Sequence, residues 1–461
     1  MLSRIKLPRT TGMILAGGRV GELSVLTLER PKSALPFAGH FRIVDFALSN
    51  MAHAGITNVG ILSQYRPASL IDHIGTGESW DFVGLDRGAK ILPPYHAAEG
   101  SDWYRGNADA VLQNLGYLRG YDTEIALIVS GDHIYSMDYR RLIIEHVERG
   151  ADFTIVFKRI PEGGRRFGYG VLDENERVTA YTEKPAEPPS DLVSLTVYIF
   201  NMEPLETILT EMKDLDSIEF GRDVIPAMLS RYKVCGHVFD GYWAYSRTVD
   251  AYYEAHQDLL AGKIDLAAWQ VRTNNNDNTL VRQVPPIFRP WARVGNSMVS
   301  EGCILDGTVT NSVLGPGVKV ARGAVVDSCL LFNDVVIGPD ARLEAAIVDK
   351  RTIVARGAMV GVTCAAGPVD RAGAISAKGI ALIGKNARLA ENAVLAQGGI
   401  VPPGACLQAG DEQEDEAPGG ARRSGDRSGG GRRGGASPRG NRAGDGRRGS
   451  NRRGGGREER A

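Results

Sequence analysis

The sequence lacks any apolar run long enough to cross a membrane, and it is poor in cysteine. A bilayer crossing needs about 20 consecutive apolar residues, and no stretch of the 461-residue chain provides them. The first residues, MLSRIKLPRTTG, are basic but lack the apolar core of a signal peptide. The five cysteines form no CxxC pair, which is typical of a reducing compartment. We therefore expect a cytoplasmic protein with no membrane contact.

The carboxyl end lacks every side chain that could build a core. Residues 411–461 contain no aromatic residue and no aliphatic side chain larger than alanine, and they carry 13 arginines against nine acidic residues. Such a segment buries too little surface to offset its ordering entropy, so we predict a disordered Arg/Gly-rich tail. Its arginines predict, at most, weak binding to polyanions.

Short apolar segments alternate with helical patterns between residues 10 and 265. GMILAGG, NVGILSQ, IALIVSGDH and DFTIVFKRI are typical of buried strands, whereas IVDFALSNMAHAG and ADAVLQNLGYL are typical of helices. Buried strands separated by helices predict an α/β domain with a parallel or mixed sheet covered on both faces. Ligands of such sheets bind beyond the carboxyl ends of the strands. We therefore expect a site at the loops that follow Leu15 and Val129.

Between residues 293 and 408 the spacing of apolar residues changes to six. Four of them stand at successive steps of six: Leu314, Val320, Val326 and Phe332. A six-residue repeat with tight turns predicts a parallel β-helix, in which each coil stacks on the next. An ordinary β-sandwich is the alternative. Residues 266–292, with an Asn/Asp run and a Pro pair, are predicted to be a linker.

Two adjacent glycines, Gly17 and Gly18, follow the first predicted strand. Because they carry no Cβ, their backbone N–H groups can approach a polyphosphate closely. This pattern predicts a phosphate-binding loop. An ordinary turn is the alternative, since Gly-Gly pairs are common in turns.

Six uncommon strings occur together and in one order: RPKSALPF, GHFRIVDFALSN, RGNADAVLQN, VSGDHIYSMDY, YTEKP and EFGRDVIP. With the six-residue repeat that follows them, they closely resemble the ADP-glucose pyrophosphorylases, that is, the glucose-1-phosphate adenylyltransferases, over residues 10–405. The resemblance implies a Rossmann-like nucleotidyltransferase domain, then a left-handed β-helix, in a homo- or hetero-oligomer that is usually a tetramer. It also implies the reaction of ATP with glucose 1-phosphate, which gives ADP-glucose and pyrophosphate for glycogen biosynthesis.

The resemblance implies roles for the positions that match the family strings. Lys32 and Asp132 correspond to catalytic residues, and Asp132 also corresponds to a ligand of Mg²⁺, a cation that prefers carboxylate oxygens. The implied nucleotide-binding positions are Leu15, Ala16, Gly17, Gly18, Gln64 and Gly131. The implied sugar-phosphate positions are Tyr104, Glu183 and Lys184.

Two positions depart from the family pattern. GGRVGEL places Glu22 where the family has an arginine that contacts the triphosphate, so we expect this carboxylate to face the phosphates with the wrong sign. GYWAYSRT places Tyr245 where the family has an aspartate that is the second metal ligand, and a phenol with a pKa of about 10 is no substitute. Two interpretations stay open. The chain is either an active adenylyltransferase or a regulatory subunit that binds sugar phosphate or an effector and modulates an active paralogue.

Overall fold

The computed structural model of the protein describes residues 7–18, 20–95, 103–161, 164–274, 284–362 and 375–411. The predicted tail lies outside these residues from position 412 onward, so its disorder and its polyanion binding stay predictions. None of the helices in the described ranges combines the length and the hydropathy that a bilayer crossing requires.

Strands and helices alternate through the first half of the chain, as the apolar patterns predict. The strands are β1 (Thr10–Leu15), β2 (Pro36–Phe37), β3 (Phe41–Arg42), β4 (Asn58–Leu62), β5 (Gly88–Leu92), β6 (Ile125–Ser130), β7 (Ile134–Tyr135), β8 (Phe153–Arg159), β9 (Gly168–Leu172), β10 (Val178–Glu183), β11 (Leu192–Asn201), β12 (Val234–Val238) and β13 (Trp243–Ala244). The α-helices are α1 (Val44–Ala54), α2 (Ala68–Ile74), α3 (Asn107–Gln113), α4 (Leu115–Arg119), α5 (Tyr139–Glu148), α6 (Met202–Glu211), α7 (Ile225–Arg231) and α8 (Val249–Leu260). Three 3₁₀ helices (Gly21–Thr27, Lys32–Ala34 and Glu78–Trp80) and one π-helical turn (Phe220–Val224) complete the domain.

One nine-stranded mixed sheet forms the centre of this domain. Its order is β10-β9-β11-β6-β1-β4-β5, with β8 added on β11 and β12 on β8. Strand β1 runs parallel to β4 and to β6, and Leu15 is in register with both Leu62 and Ser130. The loops that follow these three strands therefore emerge at the same edge of the sheet.

Successive residues of the buried strands point to opposite faces of the sheet, and helices cover both faces. Ile14 and Val129 pack with α1 and α5, whereas their neighbours Met13 and Ile128 pack with α3, α6 and α7. Helix α1 approaches so closely that a Cβ on Gly12 would lie 2.5 Å from the Met51 sulfur. A side chain at this point of β1 would therefore have to displace the end of the Met51 side chain.

The second half of the chain forms a parallel β-helix with three sheets. The first sheet contains β14 (Ile287–Phe288), β17 (Ile304–Leu305), β20 (Lys319–Val320), β23 (Val336–Ile337), β26 (Ile353–Val354), β29 (Arg388–Leu389) and β32 (Cys406–Leu407). The second contains β15 (Arg293–Gly295), β18 (Thr308–Thr310), β21 (Val325–Asp327), β24 (Arg342–Glu344), β27 (Met359–Val362) and β30 (Val394–Ala396). The third contains β16 (Met298–Val299), β19 (Val313–Leu314), β22 (Leu330–Leu331), β25 (Ala346–Val348), β28 (Ala381–Ile383) and β31 (Ile400–Val401).

The β-helix starts inside the range predicted to be a linker. Strand β14 pairs in parallel with β17, so Ile287 and Phe288 already belong to the first coil. The Pro pair just before them and the Asn/Asp run gave the whole stretch the composition of a linker, which hid this short strand.

The third sheet accounts for the position of Phe332 in the six-residue pattern. Leu331 points into the β-helix core with Leu314 and Val326, whereas Phe332 packs in a second core that the β-helix shares with the first domain. Phe332 thus stands six residues after Val326 in the sequence but does not point into the β-helix core. Because alternate residues of a strand face opposite sides, this sheet fills the β-helix with one side and covers the first domain with the other.

A buried ion pair crosses the same domain boundary. The Arg30 guanidinium donates to both carboxylate oxygens of Asp349, at 2.9 and 2.6 Å, and both side chains are buried. Nearer the surface, the Lys385 ammonium lies 2.9 Å from Glu29. The two domains are thus joined by apolar and by charged contacts within one compact unit, Met1–Glu416.

Candidate active site

A cavity of about 510 Å³ opens at the sheet edge where β1, β4 and β6 end. Its lining includes residues of the loops that follow these strands, and residues in and just after β10 and β13. Of the predicted site residues, it brings together Leu15, Gly17, Gly18, Gln64, Tyr104, Asp132, Glu183 and Lys184. This is the edge at which ligands bind in α/β sheets.

The glycine loop and Gln64 form one end of the cavity. A Cβ on Gly17 would lie 3.3 Å from the backbone nitrogen of Gln64, so the loop passes close to its neighbour. The Gln64 side-chain oxygen accepts from the Tyr104 N–H at 2.9 Å. Tyr104 itself is buried and donates its hydroxyl to the Leu92 carbonyl. Tyr104 thus contacts a predicted nucleotide residue, and its role toward sugar phosphate stays a prediction.

Two other predicted nucleotide positions shape the end of β1. The Ala16 N–H donates to the Leu62 carbonyl at 2.9 Å, and the Gly131 N–H donates to the Leu15 carbonyl at 3.0 Å. A Cβ on Gly131 would lie 2.6 Å from Ile14 Cγ2, so a side chain here would force β1 and the loop after β6 apart. These residues fix the shape of the loop through their backbones.

The two predicted catalytic residues are bound to each other. The Lys32 ammonium lies 2.9 Å from an oxygen of Asp132, and Lys32 is only 2% exposed. Although burial disfavours the charged carboxylate, the Lys32 and His133 side chains and the Ser130 hydroxyl hold the pKa of Asp132 well below its usual range. Burial lowers the pKa of Lys32, and Asp132 partly offsets that effect. Asp132 faces the cavity, whereas Lys32 lies behind it.

Tyr245 covers Lys32 from the cavity side. The Lys32 ammonium lies 4.3 Å from the centre of the Tyr245 ring, a cation–π contact. The ring stacks on Trp243 and meets His133 edge-on. Burial raises the pKa of the Tyr245 phenol, so this group is neutral at pH 7. Tyr245 therefore supplies no anionic oxygen, as its residue type predicts, and its ring also blocks Lys32.

Glu22 has a partner that the sequence did not indicate. Its carboxylate accepts from Arg247 Nε at 3.1 Å, and Arg247 Nη1 donates to the Tyr245 hydroxyl at 3.1 Å. Arg247 follows β13, which pairs with β7 just after Asp132, so the fold brings it to the same wall. Arg247 therefore balances the charge of Glu22, and the expectation that this carboxylate faces the phosphates stays a prediction.

The predicted sugar-phosphate pair, Glu183 and Lys184, also lines the cavity. The Lys184 ammonium is 3.1 Å from Glu183, whose second oxygen accepts from the Tyr181 hydroxyl at 3.0 Å. A Cβ on Gly221 would lie 2.2 Å from Glu183 Oε2, so a side chain at this position would displace the carboxylate. The arrangement offers a fixed carboxylate for hydroxyl groups and an exposed ammonium for a phosphate.

Several residues of the cavity were missed by the sequence analysis. They are Asn107, His133, Arg166, Phe167, Thr196, Tyr198, Glu219 and Arg247. Glu219 lies in the family string EFGRDVIP, so the sequence did offer a sign that it belongs to the site. Burial raises the pKa of its carboxyl group. The sequence also offered a sign for Arg247. This residue stands two positions after Tyr245, and it carries a positive charge, as does the family arginine that Glu22 replaces.

Asp132 does not by itself complete a magnesium site, and its role as a metal ligand stays a prediction. One Asp132 oxygen is bound to Lys32 and the other accepts from Ser130. Mg²⁺ requires free oxygen donors in an octahedral arrangement, and Tyr245 offers only a neutral phenol. Among the described residues, no group of three or more His, Cys, Asp or Glu side chains could hold a metal ion.

Comparison with known proteins agrees with this architecture. The profile of the nucleotidyl transferase family matches residues 11–262, and that of the GlmU-like C-terminal hexapeptide domain matches residues 290–383. These matches define the class: a nucleotidyltransferase domain with a mixed sheet, followed by a left-handed β-helix. The predicted fold class is confirmed for the described residues.

Curated relatives narrow the class. Glucose-1-phosphate adenylyltransferases of Bacillus cereus (strain Q1) and Bacillus mycoides (strain KBAB4) are each 38% identical over 364 residues, which cover 76% of this chain and 94% of theirs. The enzyme of the same name from Bacillus anthracis aligns with the same identity and coverage. The chain belongs to the nucleotidyl transferase family and, within it, to the glucose-1-phosphate adenylyltransferase family.

Proposed function

We propose that this protein transfers the adenylyl group of ATP to glucose 1-phosphate and forms ADP-glucose and pyrophosphate for glycogen biosynthesis. The observation that carries the proposal is the cavity itself. Within one space it joins a glycine loop, a low-pKa carboxylate and a carboxylate–ammonium pair. The 38% identity over 94% of the curated adenylyltransferases supports the choice of substrates.

The reaction requires positioning and charge stabilisation, with no covalent intermediate. A phosphate oxygen of glucose 1-phosphate attacks the α-phosphorus of ATP in line, a new P–O bond forms, and the bond to the β-phosphate breaks. Glu183 and Lys184 orient the sugar phosphate. Gly17 and Gly18 admit the triphosphate, and Gln64 lines the cavity with them. The negative charge that develops on the leaving pyrophosphate is stabilised by Arg247 in the cavity lining.

The test is an assay of the purified full chain with ATP, glucose 1-phosphate and Mg²⁺. We expect release of pyrophosphate together with ADP-glucose. Lys184→Ala should raise the KM for glucose 1-phosphate by roughly 10- to 150-fold, because a charged hydrogen bond contributes about 1.5–3 kcal/mol. Lys263→Ala is the matched control, since this exposed lysine pairs with Asp258, outside the residues that line the cavity.

Absence of turnover would contradict the proposal. If such a protein still bound glucose 1-phosphate in calorimetry, and lost that binding in Lys184→Ala, the regulatory-subunit interpretation would replace the enzyme. The divalent cation is proposed to be Mg²⁺ that arrives on the nucleotide, since Mg²⁺ binds largely through substrate phosphates and water. A cytoplasmic location and weak polyanion binding by residues 411–461 are part of the same proposal.

We further propose that the protein is a homo- or hetero-oligomer, such as a tetramer, held together through the first coil of the β-helix. This coil exposes large apolar side chains, among them Ile287 (45%), Phe288 (54%) and Trp291 (57%). Its strands β14, β15 and β16 each have, in the described part of the chain, a neighbour on one side only. Unpaired strand edges with apolar side chains favour association.

Phe288→Lys should therefore shift the protein to a smaller species in light scattering and leave its circular dichroism unchanged. Leu85→Lys is the control, because Leu85 is fully exposed in the other domain. An unchanged mass for Phe288→Lys would place the interface elsewhere.

A further inference from the structure

We propose that Glu22 is a built-in anion at the phosphate end of the cavity, and that a polyphosphate displaces it to take Arg247 as its guanidinium contact. The inference rests on the proposed transfer from a nucleoside triphosphate. It assigns the phosphate subsite to Arg247 and Tyr245, which follow strand β13.

The geometry places Arg247 in the cavity lining, in contact with Glu22. Arg247 lines the cavity together with Gly17 and Gly18, and it holds Glu22 through Nε at 3.1 Å. Glu22 stands in the first turn of the 3₁₀ helix Gly21–Thr27, directly after the glycine loop. The Glu22 carboxylate thus takes up the Nε donor of Arg247, close to the glycine loop that is proposed to bind phosphates.

A second arginine shares this environment. Arg166 lines the same cavity and is exposed. Burial would raise the pKa of Glu22, but a backbone hydrogen bond and the charges of Arg247 and Arg166 hold it below its ordinary value. Glu22 is therefore ionised at pH 7. A carboxylate that is stabilised by two guanidinium groups occupies an environment that suits a phosphate equally well.

The contact is weak enough to be exchanged. Both side chains of the Glu22–Arg247 pair are about 40% exposed. Pairs at such exposure change an equilibrium constant by about fivefold or less. A polyphosphate brings several charges and can bind a guanidinium through two oxygens at once, which a single carboxylate contact through Nε does not match. A polyphosphate should therefore displace Glu22 from Arg247. Competition from Glu22 should lower the affinity of the site for polyphosphate only modestly.

Tyr245 keeps Arg247 in place when Glu22 leaves. Its hydroxyl accepts from Arg247 Nη1, and its ring is fixed by Trp243 and His133. Tyr245 is thus a positioning residue for the guanidinium. This assigns a use to both positions that depart from the family pattern.

The experiment measures binding of inorganic tripolyphosphate to the full-length protein by calorimetry at fixed salt, in parallel with turnover. Arg247→Gln should weaken binding by about tenfold or more, since a charge-assisted contact is lost. Glu22→Gln should tighten binding by up to about fivefold. The tightening should vanish in the Arg247→Gln background, because coupled residues are not additive. Tyr245→Phe should weaken binding less than Arg247→Gln does.

The matched control is Arg141→Gln, which breaks an exposed pair with Glu145 on helix α5 at a similar distance of 2.9 Å. It should leave tripolyphosphate binding unchanged. If Arg247→Gln binds as tightly as the unaltered protein, the inference is wrong, even where turnover shows that the proposed reaction occurs. If turnover is absent but binding depends on Arg247, the reaction is wrong and the phosphate subsite stands.

Discussion

Asparagine in place of Asp132 is expected to lower turnover by roughly 100-fold or more, the scale of losing one electrostatic group from an active site. It should also destabilise the fold by about 3 kcal/mol, because the buried Lys32 ammonium then loses its counterion. We take the lower end of the range for broken buried pairs, since 23% of the Asp132 side chain is exposed to the cavity. Turnover assays and thermal unfolding measure the two effects separately.

A second variant separates the two roles of this carboxylate. Lys32→Met combined with Asp132→Asn removes both charges, and uncharged replacements of a buried pair are often neutral for stability. The double variant should recover most of the melting temperature and remain inactive. Asp191→Asn, at the exposed pair with Arg159, is the control and should change neither quantity strongly. Recovery of turnover in the double variant would show that Asp132 acts only as the counterion of Lys32.

Alanine in place of Asp349 should destabilise the whole protein by about 3–5 kcal/mol, although the residue lies in the β-helix and outside the cavity lining. The change leaves the Arg30 guanidinium buried at the domain boundary without its carboxylate. Arg30 is two residues before Lys32, so turnover should fall as well. Thermal unfolding followed by circular dichroism gives the stability change.

Asp340→Ala provides the comparison within the same β-helix. Asp340 pairs with Arg356 at 3.1 Å, and both side chains are more than half exposed, so its loss should cost only about 0–1 kcal/mol. Equal melting temperatures for the two variants would mean that the buried pair contributes no more than a surface pair.

A chain that ends before the β-helix is a poor test of assembly, because it also exposes the core shared by Phe332 and the first domain.

The sequence by itself was sufficient for features that depend on local spacing. The strands around Met13, Val59, Ile128 and Ile155 and the helix that contains Phe46 were predicted from apolar runs and helical patterns, and the structure has them. The six-residue repeat likewise predicted the β-helix, because its coils repeat one local geometry. The loops that carry Gly17 and Asp132 were predicted to lie at one sheet edge, because ligands of such sheets bind beyond the carboxyl ends of the strands. Gln64 was indicated by the family resemblance.

Only the tertiary structure decided which charges meet. Glu22 and Arg247 are 225 residues apart, and they pair because β13 joins β7 beside the loop after β6. The same packing places the Tyr245 ring over Lys32 and turns Phe332 away from the β-helix core toward the first domain. Residue types set the charge and size of each side chain. Contacts between distant segments depend on how strands pair and domains pack, and no local spacing contains that information.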